Sequence, residues 1–98
     1  MVQATTPTII MNLPETVDLT QAQTIVFSLV QGSTNIKKTI TDAEAHQVSV
    51  FLSQTDTLGL SNGIAQVQLN WTYPDGNRAC TNIVNINVTP NLLKAVMA

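Results

Sequence analysis

The sequence predicts an all-β fold of two antiparallel sheets packed face to face, and three observations carry that prediction. Ala65, Val67, Leu69, Trp71 and Tyr73 alternate with Gln66, Gln68, Asn70 and Thr72. A period of two marks a strand with one wet face and one buried face. Pro74-Asp75-Gly76-Asn77 follows at once; proline fixes φ for a first corner, and Gly76 or Asn77 can take positive φ. The remaining apolar runs are short, β-prone and separated by turn-forming residues.

Residues 1–7 form a polar lead-in expected to fray. Residues 8–13 read as an edge strand, stopped by Pro14, which pushes Leu13 towards extended geometry. Residues 14–23 hold a loop or single helical turn, with Asp18 or Thr20 as cap. Residues 24–31 are a strand: Ile25, Phe27 and Leu29 face one way, Val26, Ser28 and Val30 the other. Two mostly apolar rows predict a central strand covered on part of its second face.

Gly32-Ser33-Thr34-Asn35 turns the chain into a partner strand over 36–41, and a polar link leads to a strand over 47–52. There Val48, Val50 and Leu52 form the inward row. Ser53 can cap the first turn of a short helix near 54–59, Asp56 suits its positive end, and Gly59 stops it. Ser61-Asn62-Gly63 then turns into the central hairpin, whose second arm is a long strand closing on Asn85-Ile86-Asn87-Val88. Residues 90–98 are an apolar extension. Six to seven strands on short turns, with one helical turn crossing between sheets, predict an immunoglobulin-like sandwich.

Ninety-eight residues make one domain, and 44% hydrophobic residues supply a core. The single cysteine, Cys80, forms no internal disulfide. Charged residues are only 10% of the chain, against about 25% in soluble domains. Fourteen Thr, nine Asn, eight Gln and five Ser carry the polar surface instead. A net charge of −2 and four scattered cations argue against nucleic-acid binding. No apolar run approaches the length that spans a bilayer, so no membrane partner is expected.

No residue set announces catalysis, a metal or a cofactor. His46 sits alone in a polar loop beside Glu44, and one histidine is not a ligand set. Cys80 has Arg78 nearby but no histidine to serve as base. Asp18 and Asp56 read as caps, Asp75 as a turn former, Asp42 and Glu44 as solubilising loop residues. One of Lys37 and Lys38 reads as edge protection. Trp71 and Tyr73 are the one candidate for a ligand, a sugar-stacking platform, although they share a face with Val67 and Leu69 and so read first as core. Leu92, Leu93 and Val96 are candidate anchors for another protein.

An ordered series of segments carries a resemblance. It comprises Thr6-Pro7-Thr8, Val17-Asp18-Leu19-Thr20, the run from Val48 to Leu58, the strand from Gly63 to Gln68, and Asp75-Gly76-Asn77. Together these resemble the short β-sandwich structural proteins of tailed phages and Firmicutes prophages. More distantly they are similar to the immunoglobulin-like N-terminal domains of baseplate proteins. The resemblance implies a non-enzymatic particle subunit, made in the host cytoplasm and carried into the virion. It would pack against other phage structural proteins or against copies of itself. The carbohydrate-binding module is the alternative.

Overall fold

The structure, a computed structural model, describes residues 1–93 and 97. Among the described residues seven strands form two antiparallel sheets. β1 (Thr8–Asn12) pairs with β4 (Gln47–Phe51) in the smaller sheet. In the larger, β3 (Thr34–Ile40), β2 (Thr24–Gln31) and β5 (Gly63–Thr72) lie side by side. Two short strands, β6 (Arg78–Cys80) and β7 (Val84–Val88), succeed one another along the far edge of β5. The connectivity is that of an immunoglobulin sandwich. β1 and β4 stand where B and E do, β2 and β3 where C and C′ do, β5 at F, and β6 with β7 at G. Among the described residues no full strand takes position A or D, which flank B and E in that architecture.

The core lies between the sheets and follows the alternation in the sequence. Ile25, Phe27 and Leu29 of β2, Ala65, Val67, Leu69 and Trp71 of β5, and Val48 and Val50 of β4 are all buried. Leu13, Leu19, Leu52, Leu60 and Val88 close the ends. β2 is central, as expected, but among the described residues no further layer covers its second face: Val26 and Ser28 are half-buried and Val30 is exposed.

The short helix α1 (Gln54–Leu58) crosses from β4 to β5 and is set by a capping box. Ser53 Oγ accepts from the Asp56 N–H at 3.1 Å, while an Asp56 carboxylate oxygen accepts from the Ser53 N–H at 3.0 Å. Two otherwise orphaned donors are satisfied at once, which is why so short a helix persists. Before β2 a 3-10 turn, Leu19–Gln21, is capped by Asp18, whose Oδ1 accepts from the Thr20 N–H at 3.0 Å. The sharp β5–β6 turn needs Gly76, at φ 89°, a conformation that costs other residues strain.

Two expectations are corrected. The second arm of the central hairpin is not one long strand. Residues 81–83 stand opposite only Gln68 and Leu69, so one extra residue makes a bulge between β6 and β7. Side chains repair the broken ladder. The Leu69 N–H donates to Thr81 Oγ1 at 3.1 Å, and Gln68 Nε2 donates to the Thr81 carbonyl at 2.9 Å. Nor is the start of the chain a frayed lead-in. Val2 bridges Thr89 in parallel, Gln3 N–H donates to the Thr89 carbonyl at 3.0 Å, and Thr89 N–H donates back to Met1 at 2.7 Å.

Candidate functional site

The small sheet is narrower than the sheet it covers, and this leaves an open edge along β1. Hydrogen bonds from Leu13 N–H to His46 and from Leu52 N–H to Pro7 bracket the β1–β4 ladder. Alternation along an antiparallel pair then turns Ile9 and Met11 towards β4. The backbone groups of Thr8, Ile10 and Asn12 face away, along an edge with no strand beside it among the described residues.

Below that edge lies a groove lined by Ile9, Met11, Val67, Val84, Ile86 and the bulge residues Thr81 and Asn82. It occupies the place over the G position that strand A covers in a complete sandwich. β1 carries no charge and no proline, the features that commonly blunt an edge. β3, the edge of the large sheet, does carry charge, in Lys37 and Lys38. Lys38 points to the inner face opposite Phe27, and its Nζ stands 2.7 Å from Asp56 Oδ2. On the outer side of the small sheet Ile10 and Phe51 are 56% and 60% exposed.

The outer face of the large sheet is different in kind. Alternation places Lys37, Thr39, Thr24, Val26, Ser28, Gln68, Asn70, Thr72 and Arg78 on it. A shallow concavity there is lined by Thr24, Val26, Ser28, Lys37, Asn70, Trp71, Thr72 and Arg78. Asn70 Oδ1 accepts from Arg78 Nη2 at 3.0 Å, which orients the guanidinium without neutralising it. Among the described residues the one ion pair is Lys38–Asp56.

Loops with most of the carboxylates gather at one end of the sandwich. The β1–β2 connection holds Glu15 and Asp18, the β3–β4 connection Asp42 and Glu44, and the β5–β6 turn Asp75. Backbone bonds from Leu19 to Ala45 and from Gln23 to Thr72 tie these connections together. The Thr20 hydroxyl and N–H hold the Asp18 carboxyl below its ordinary range, with a smaller contribution from His46. Partial burial pushes Asp56 up. Its bonds to Lys38 and Ser53 outweigh that, and the group ends below its ordinary range.

The residues singled out from the sequence fall in separate places. Trp71 is 4% exposed, and its indole N–H donates to the Tyr73 hydroxyl at 3.0 Å. Its faces are in the core, so the sugar-stacking platform is not formed. His46 Nδ1 donates to the Val17 carbonyl at 2.6 Å and pins one loop to another. Cys80 is exposed on the outer face opposite Asn70, with Arg78 turned to the amide rather than to the thiol. Among the described residues no three His, Cys, Asp or Glu side chains converge as metal ligands. Leu92 and Leu93 are exposed, Leu92 fully; Val96 lies outside the described residues.

The edge groove and the cationic outer face escape a reading of the sequence. The groove depends on which strand lies over which, although the chargeless run of β1 was visible. The chain matches no protein-family model, no curated protein and no solved structure.

Proposed function

We propose that the chain is a non-enzymatic assembly module that works by packing against other proteins, as a structural subunit of a phage or prophage particle. One observation carries the reading: an uncharged sheet edge, whose backbone groups at Thr8, Ile10 and Asn12 have no partner among the described residues, lies beside an apolar groove that none of the described residues covers. Such an edge gains main-chain hydrogen bonds from an added extended segment, and a groove beside it gives that segment side-chain pockets. The exposed Ile10, Phe51 and Leu92 add apolar surface of the kind that partners bury. The particle itself is the context implied by the resemblance in the segments from Val48 to Leu58 and from Gly63 to Gln68. A carbohydrate-binding role loses its main support with Trp71 inside the core.

The test is mass-spectrometric counting of the chain in purified particles of the strain that encodes it, coupled to amide exchange. The expected result is a fixed copy number per particle, with the Thr8, Ile10 and Asn12 amides slowed relative to the isolated chain. Particles that lack the chain, or edge amides that exchange equally fast in both states, overturn the proposal.

A further inference from the structure

We propose that the cationic concavity on the outer face of the large sheet receives the acidic loop end of a second copy of this chain, so that copies associate end to face. The inference rests on the reading of the chain as an assembly module and names one partner for it. Charge segregation is the observation behind it. Lys37 and Arg78 are the charged groups lining the concavity, beside Val26, Trp71 and neutral hydroxyl and amide side chains, and among the described residues no carboxylate belongs to that face. Neither makes an ion pair within the described residues. Arg78 is held in place by the neutral Asn70 amide, so its remaining donors are oriented and keep their full charge.

The complementary surface lies on the same molecule. Glu15, Asp18, Asp42, Glu44 and Asp75 lie in the three connections at one end of the sandwich, and those connections contain no Lys or Arg. Two unneutralised surfaces of opposite sign on one chain attract copy to copy and steer their encounter. The two patches are different, so the contact is heterologous: it closes into a ring or continues as a stack, according to the rotation between copies. A face that meets itself would set Lys37 and Arg78 against their own kind, which argues against a twofold contact there.

Sedimentation of the full chain in about 20 mM and in about 0.5 M salt reads the proposal, because exposed pairs are screened over that range. The expected result is self-association at low salt, roughly tenfold weaker at high salt, the loss anticipated for a few rim ion pairs. Lys37→Glu with Arg78→Glu, and separately Asp42→Lys with Glu44→Lys, each give a monomer alone. All four side chains are exposed, so both double variants keep the fold, which thermal unfolding verifies. Mixing the two variants restores association, because a positive end now meets a negative face. A monomeric wild-type chain at low salt, association indifferent to salt, or a mixture that stays monomeric each overturns the inference. A chain that is monomeric yet present at fixed copy number in particles leaves the assembly role standing and removes only this contact.

Discussion

Thr81 shows how a single side chain settles a local problem of the backbone. An extra residue in the second hairpin arm would leave the Leu69 N–H without its ladder acceptor, and Thr81 Oγ1 takes that place at 3.1 Å. Thr81→Val keeps the shape and removes the acceptor, so urea unfolding should show a loss of about 1–3 kcal/mol, the cost of an unpaired buried amide. Thr81→Ser should recover most of it. Trp71 is the second residue whose surroundings decide its role. Being 4% exposed with its N–H bonded to Tyr73, it should emit at short wavelength, resist quenching by iodide and ignore added sugars. Trp71→Ala should cost about 3–5 kcal/mol, as large-to-small core substitutions do.

Among the elements, α1 is the one most dependent on charge. Asp56 closes the capping box and pairs with Lys38, so its two contacts tie the helix to the edge strand β3. Its folded-state pKa lies below the ordinary value, so its contribution is full above the ordinary carboxylate range. It is lost as pH falls through that range and below. Asp18 at the 3-10 turn has the same sign. Stability should therefore decline between about pH 5 and about pH 2, and Asp56→Asn should show a shallower decline over that interval. At neutral pH, Ser53→Ala should lower stability by about 1 kcal/mol through loss of the cap. The contrast between the two outer edges belongs to this scale as well. β3 turns Lys38 inward and is blunted, while β1 has only uncharged residues and stays open.

For the whole molecule, the first residues and the last strand lock each other. Residues 1–5 are tied to Thr89, Leu60 and Thr57 by backbone and side-chain bonds, including Thr57 Oγ1 to the Thr5 carbonyl at 2.6 Å. Thr57 is fully buried, so loss of that acceptor leaves its hydroxyl on weaker partners at 3.4 Å. A chain lacking residues 1–5 should lose about 2 kcal/mol or more in denaturant unfolding, several net hydrogen bonds at once. The slope of the transition should hardly change, since little of the core is removed. The sandwich also distributes charge unevenly, with carboxylates at one end and Lys37 and Arg78 on a face, although the net charge is only −2. Composition reports the total, and the fold creates the poles.

What the sequence determined by itself is what short-range chemistry dictates. The alternation of Ala65, Val67, Leu69 and Trp71 selected strand and inward face. Ser53 with Asp56 selected a helix start, Asp18 a turn cap, and Asp75-Gly76 a tight turn, because each acts within a few residues of itself. The strand count and the sandwich followed from the spacing of those signals. What only the tertiary structure decided involves partners distant in the chain. The Thr81 bulge appears when β6 and β7 are both registered on β5, since alternation in one strand is blind to the register of its neighbour. The pairing of Val2 with Thr89 joins opposite ends of the sequence. The groove beside β1 and the cationic face arise from which strands lie side by side and which layer covers which, and no local pattern encodes that.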